Sequence, residues 1–191
     1  MAMPTVRKLV LTFTLSSLLL PVTGYGQDGQ RAHVHGAAEL QVAIEGKTAE
    51  LILRSPAANL LGFDHVPRDS GQEAIRHEVV QWLETSAVIQ TPANDCTVSA
   101  GTIHQMGGVD HDHGHDHDHG HSDSNAPKEN GHSDFEVTQR LDCDSELSGT
   151  LSVPLMERFP GIDSLSVDWI TSTGQGHSEL EAGETGLTLS R

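Results

Sequence analysis

The stretch ELQVAIEGKTAELIL, residues 39–53, predicts the central hairpin of the fold. Apolar residues alternate with polar or small ones on both sides of a two-residue turn at Gly46-Lys47, which is typical of strands with one buried face. This turn sets Ile44 opposite Ala49, Val42 opposite Leu51 and Leu40 opposite Leu53. The apolar sets then share one face, so the pattern specifies the register of the pair.

Helical signals follow the hairpin. Pro56 to Leu61 predicts a short helical turn ended by Gly62, and Ser70 to Ser86 predicts one long helix. Ser70 and Glu73 have the spacing of a capping box at its start. One buried stripe is expected from the helical spacing of Ile75, Val79, Trp82 and Leu83.

The two cysteines, Cys96 and Cys143, lie at the outer ends of two strand-like segments. Zinc sites usually place cysteines in closer pairs, so a disulfide is the better interpretation for an exported chain. With the cysteines opposed, Val98 meets Leu141, Thr102 meets Val137 and His104 meets Phe135 on the cysteine face. This register puts His104 on the buried face and directs His132 and Asp134 to the polar one.

Shorter apolar alternations at residues 149–153, 165–169, 177–181 and 187–190 complete about seven strands, with a helical piece at Pro154 to Phe159. Connections of this length favour antiparallel pairing. The predicted fold class is α+β: mainly antiparallel sheets with one long helix packed on them, an α/β sandwich, with a disulfide-stapled hairpin carrying a loop at its tip.

That tip contains the run DHDHGHDHDHGH at residues 110–121, with six imidazoles and four carboxylates. Imidazole nitrogen and carboxylate oxygen suit zinc and its first-row neighbours, although copper(II) and nickel(II) bind the same groups. The ligand candidates of the run are Asp110, His111, Asp112, His113, His115, Asp116, His117, Asp118, His119 and His121. Residues 107–131 offer almost no core and are expected to form a disordered loop when no metal is bound.

Two other interpretations of the run are a solvated linker and an internal expression tag. Strict alternation with aspartate, and a position inside a folded chain, argue against a tag. Divalent-metal binding is therefore the favoured interpretation of the run.

The first 26 residues have the organisation of a secretory signal, with Arg7 and Lys8 followed by the apolar run Leu9 to Leu20. We expect cleavage near Gly26, export, no membrane span in the mature chain, and a zinc-binding domain over residues 27–191. Without Arg7 and Lys8 the 11 basic residues fall to nine against 27 acidic ones, so the formal charge of −16 becomes −18. Such a charge repels nucleic acid and attracts cations.

Three short histidine motifs lie outside the run. His33 and His35, if extended, point to one face about 7 Å apart, a spacing that lets two imidazoles bind one ion. Asp64 and His65 follow the short helical turn, and the choice between backbone capping and metal binding for His65 stays open. His132 is the better ligand candidate of the hairpin because it faces the polar side.

Taken together, these motifs resemble the ZrgA family of periplasmic zinc-binding proteins across essentially the whole mature chain. The motifs that carry the resemblance are His33-Val34-His35-Gly36 with Glu39-Leu40, the run Ser55 to His65, the His/Asp run, His132-Ser133-Asp134-Phe135, Cys143, Phe159-Pro160-Gly161-Ile162 and Thr173-Gly174-Gln175. Asp64 departs from the family, in which a glutamate is common at that position.

The resemblance implies a periplasmic protein of a zinc-uptake system, working with an inner-membrane ABC-type importer on an α/β sandwich scaffold. It also implies zinc ligands outside the His/Asp run, at the matching positions His33, His35, His65 and His132. A passive zinc or divalent-metal buffer has the same ligands. A zinc hydrolase is disfavoured, because the chain has neither a His-Glu-x-x-His helix nor a Gly-x-Ser-x-Gly elbow.

Overall fold

A computed structural model of the chain describes residues 34–107 and 132–189. The strands are β1 Ala37–Glu45, β2 Thr48–Pro56, β3 Cys96–Gly107, β4 Ser133–Cys143, β5 Thr150–Ser152, β6 Ser164–Thr171, β7 Gln175–Glu181 and β8 Gly186–Thr188. The helices are α1 Ala57–Leu61, α2 Ser70–Thr85 and α3 Pro154–Arg158. A six-stranded, mostly antiparallel sheet with one longer helix confirms the predicted α+β class.

The hairpin of β1 and β2 has the predicted register. Ile44 pairs with Ala49, and Leu40 pairs with Leu53. Gly46 turns the chain with φ of 61°, a conformation that costs glycine little. Alternation of one buried and one exposed residue was therefore sufficient to fix both the pairing and the face.

The sheet order is β3-β4-β2-β1-β6-β7, so the first hairpin lies at its centre. Every pair is antiparallel except β1 and β6, which run parallel. β5 and β8 form a separate two-stranded sheet among the described residues. The parallel pair is the one departure from the expectation drawn from short connections, because β1 and β6 are far apart in the chain.

One face of the six-stranded sheet is buried and the other is exposed. Gln139 of β4 lies on the buried face and donates to the carbonyls of Leu83 (2.6 Å) and Ser86 (2.9 Å), which fastens the end of α2 to the sheet. The opposite face carries polar residues such as Gln41 and Glu50 together with Ala43 and Ile52, and we call it the open face.

Two details of α2 differ from the prediction. Asp69, not Ser70, is the N-cap, since its carboxylate accepts from the backbone N–H of Gln72 at 2.9 Å. The expected capping box of Ser70 and Glu73 is wrong because the helix is capped one residue earlier. The apolar stripe is also shorter than expected: Val79 and Leu83 are buried, whereas Ile75 is 43% exposed.

The predicted disulfide between Cys96 and Cys143 is present and joins directly opposed residues of β3 and β4. The register agrees as far as Val98 and Leu141, but a bulge between Val98 and Ala100 shifts the rest by one. His104 therefore faces Glu136 and is exposed, so its predicted burial is wrong. One extra residue exchanges the faces of every residue beyond it, and the hydrophobic pattern did not reveal it.

Candidate metal site

Three side chains from separate parts of the chain converge at one end of the sheet. His35 lies in the turn before β1, Asp64 lies between α1 and α2, and His132 directly precedes β4. Each offers one ligand atom, and the three atoms all lie within 4.8 Å of one another. We call this group the three-ligand site.

The distances in the site are close to those that a tetrahedral ion requires. His132 Nδ1 donates to Asp64 Oδ2 at 2.7 Å, and His35 Nε2 lies 3.9 Å from the same oxygen. Two ligands on a tetrahedral zinc ion are about 3.4 Å apart when its bonds are about 2.1 Å. Shifts of about 0.5 to 0.7 Å, with loss of the proton between His132 and Asp64, would therefore admit an ion.

Exposure leaves room for such shifts. The side chains of His35 and His132 are 57% and 58% exposed, and that of Asp64 is 28% exposed. The two imidazole rings meet edge to face, with centroids 6.0 Å apart. Three protein ligands on an accessible surface leave a fourth coordination position for water or for an incoming ligand.

The charge of Asp64 suits this role. Burial raises the pKa of the Asp64 carboxyl, but the hydrogen bond from His132 and the charges of His132 and His35 have the larger combined effect. The pKa of Asp64 is therefore lowered from its ordinary value. The carboxylate is therefore ionised at neutral pH. An anionic oxygen beside two imidazoles is a donor set that zinc favours.

The turn that carries His35 is held by a buried asparagine. Asn59 of α1 accepts a hydrogen bond from Gly36 N–H at 2.8 Å and donates to the carbonyl of Ala37 at 2.9 Å. Gly36 has φ of 88°, and a β-carbon there would overlap the Asp163 carboxylate. Glycine and asparagine together therefore set the position of His35.

Asp64 is held by β4. Ser133 donates to the Asp64 carbonyl twice, from its backbone N–H at 3.0 Å and from its hydroxyl at 2.9 Å. Because His132 immediately precedes Ser133, the same contact brings His132 to the Asp64 carboxylate. Two of the three ligands are thus positioned by one pair of hydrogen bonds.

Replacing Asn59 with alanine is expected to lower the free energy of unfolding by about 2 kcal/mol, because a buried backbone N–H loses its acceptor. Zinc affinity at the three-ligand site should fall as well, since the turn of His35 loosens. Chemical denaturation and zinc titration measure the two effects. Ser55→Ala is the matched control: it removes the 3.2 Å contact from Asn59 to the Ser55 hydroxyl and the hydroxyl's own 3.2 Å contact with the Pro56 carbonyl, keeps both contacts of Asn59 with the His35 turn, and should leave zinc affinity unchanged. Equal zinc affinity in the Asn59 variant would contradict this account.

Among the described residues, the predicted ligand His65 is not part of this group. His65 Nδ1 lies 2.9 Å from the carbonyl of Val66, and its ring stacks on Phe63 with centroids 5.3 Å apart. His33, the ten residues of the 110–121 run and the predicted signal segment lie outside the described residues. Asp95 approaches Cys96 and Cys143, but sulfurs joined in a disulfide offer no thiolate to a metal.

One histidine that the sequence analysis did not select lies in a cluster of charges. His177 of β7 contacts Asp168 of β6 and Glu179 of its own strand. The signal that could have revealed it is His-x-Glu, whose spacing places both side chains on one face of a strand.

No helix within residues 34–107 or 132–189 is long and apolar enough to cross a membrane.

Comparison with protein-family models gives a match over residues 32–189 to the family described as ZrgA family zinc uptake protein. Comparison with curated proteins gives no match.

Proposed function

The chain belongs to the ZrgA family of zinc uptake proteins, and we propose that it captures Zn²⁺ in the periplasm and supplies it to an ABC-type importer of the inner membrane. In this proposal His35, Asp64 and His132 bind the ion most tightly. The run at residues 110–121 collects further ions at lower affinity. Export and the importer are proposed from the signal-like segment and the family resemblance.

The observation that carries the proposal is the convergence of two imidazoles and one ionised carboxylate in the three-ligand site. A site held by folded elements loses less conformational entropy on binding than a flexible segment, so it should have the higher affinity. Its open coordination position also suits transfer, because a ligand from a receiving protein can bind the ion before His35 or His132 releases it.

Chain connectivity supports cooperation between the run and the site. His121 ends the run and His132 is a ligand of the site, so ten residues, 122–131, lie between them. Such a segment reaches at most about 40 Å when fully extended. An ion bound to the run is therefore at a high effective concentration near the site.

Deleting residues 110–121 is expected to lower zinc stoichiometry by about two to three ions, because ten ligands at about four per ion hold that number. The tightest binding event should remain. Calorimetric titration of the mature protein with and without the run measures both quantities. Loss of the tightest event together with the run would show that the three-ligand site does not bind zinc by itself.

A growth experiment tests the role in uptake. Cells carrying the protein without residues 110–121 should grow normally in ample zinc and poorly under chelation near neutral pH. Under chelation, the capture of scarce zinc by the run limits zinc uptake. Cells carrying His35→Ala and His132→Ala together should show the stronger defect. Equal growth of all strains at every zinc level would contradict a role in uptake, and impaired tolerance of excess zinc alone would favour a passive buffer.

A further inference from the structure

The open face carries a second group of metal-ligating side chains, on the edge of the sheet formed by β6 and β7. In the register of this pair His177 lies opposite Asp168, and Glu179 lies opposite Ser166. His177 and Glu179 are two residues apart on β7, so their side chains project from the same face. All three charged side chains are at least half exposed.

A closed turn fixes this arrangement. Thr171 N–H donates to the Gly174 carbonyl at 2.8 Å, and the Thr171 hydroxyl accepts from the N–H groups of Thr173 and Gly174. On the buried side, Gly176 is covered by the ring of Trp169, which leaves no room for a side chain. The alignment of His177 with Asp168 is therefore determined by the strands and the turn.

The two nitrogens of His177 make different contacts. Nδ1 lies 2.9 Å from Asp168 Oδ1, the length of a charge-assisted hydrogen bond. Nε2 lies 3.3 Å from Glu179 Oε2, which is long for such a bond. It is close to the separation of about 3.4 Å between two ligands of a tetrahedral zinc ion.

The contact to Asp168 matches a second feature of protein metal sites. A histidine that binds a metal through one nitrogen commonly donates its other N–H to a carboxylate, which fixes the ring and strengthens the ligand. Asp168 occupies that position relative to Nδ1, and Nε2 is then directed to Glu179.

We propose that His177 Nε2 and the Glu179 carboxylate bind a divalent cation on the open face, with Asp168 as the positioning residue. Imidazole and carboxylate select a borderline ion such as Zn²⁺, Cu²⁺ or Ni²⁺. Two protein ligands make this site weaker than the three-ligand site, and water completes its coordination. The site is independent of the proposed uptake function, and of the three-ligand site.

The competing interpretation is an ion-pair cluster without metal. The hydrogen bond to Asp168 is the main cause that raises the pKa of His177, and the charges of Asp168 and Glu179 add to it. The two carboxylates stabilise a protonated imidazole between them without any metal. A proton and a metal ion therefore compete for Nε2. The two interpretations differ in what zinc does to Nε2 at a pH where the ring is largely neutral.

The test is nitrogen NMR of the imidazole rings in the full mature protein during zinc titration above neutral pH. After the tighter sites fill, His177 Nε2 should take the shift of a metal-bound nitrogen while Nδ1 keeps its proton. Asp168→Asn should weaken this event about tenfold, the lower end of the range for such positioning groups. His177→Gln and Glu179→Gln should remove it.

Two controls make the result specific. His104→Gln removes an imidazole from the same face, where His104 lies opposite Glu136, which is already paired with Arg54. This variant should leave the zinc-induced shift of His177 Nε2 unchanged. The double variant His35→Ala and His132→Ala should retain the His177 shift, which separates this site from the three-ligand site. An Nε2 resonance that does not respond to zinc, or that responds equally in Glu179→Gln, would overturn the proposal.

Discussion

The double variant His35→Ala and His132→Ala is expected to lose the tightest zinc-binding event of the mature protein. Removing two of three ligands leaves only Asp64, which cannot hold an ion against water. Loss of a group that only supports a metal ligand already lowers metal affinity about 10- to 100-fold. We therefore expect an affinity at least about a thousandfold lower, equivalent to about 4 kcal/mol. Competition against a chelator of known affinity measures the change.

Single variants test the internal logic of that site. Asp64→Asn keeps the shape of the side chain and removes its charge, so zinc binding should weaken while the fold persists. His65→Gln is the matched control, because His65 is the next residue, its ring stacks on Phe63, and it is not one of the three converging ligands. If His65→Gln weakened the tightest event as much as His132→Ala, the assignment of ligands would be wrong.

The fold could be predicted where the residue pattern allowed only one strand register. Alternation in β1 and β2 allowed only the register that buries Leu40 beside Leu53, and the structure has it. The opposed cysteines likewise allowed only one alignment at the start of the β3 and β4 pair. Beyond Val98 the pattern was compatible with two registers, because His104 and its neighbours are mostly polar. The bulge therefore required information that local alternation does not contain.

The site was predictable as a set of candidates but not as a geometry. His35 and His132 were identified by residue type, yet their meeting depends on the parallel and antiparallel partners of β1 and β4, which no short motif specifies. Asp64 and His65 are adjacent in sequence, and tertiary contacts, among them those of Ser133 with the Asp64 carbonyl, determine which of them faces His132. Tertiary hydrogen bonds thus decide between two neighbouring ligand candidates.

Replacing both cysteines with alanine is expected to lower the free energy of unfolding by about 4 kcal/mol. The disulfide closes a loop with a sequence separation of 47, and the chain-entropy relation gives about that value for such a loop. Urea denaturation of the variant and of the wild type, oxidised and reduced, measures the difference. Reduced wild type should match the variant to within about 1 kcal/mol.

Zinc affinity should respond differently from stability in the same variant. Cys143 and His132 lie at opposite ends of β4, and Ser133 rather than the disulfide holds Asp64. The tightest zinc event of the folded variant should therefore keep its affinity, measured at a temperature well below its melting point. Combining the variant with deletion of residues 110–121 tests the entropic cause, because the shorter loop should change the disulfide contribution by only about 0.3 kcal/mol. A much larger change would mean that residues 110–121 affect the stability of the folded state directly.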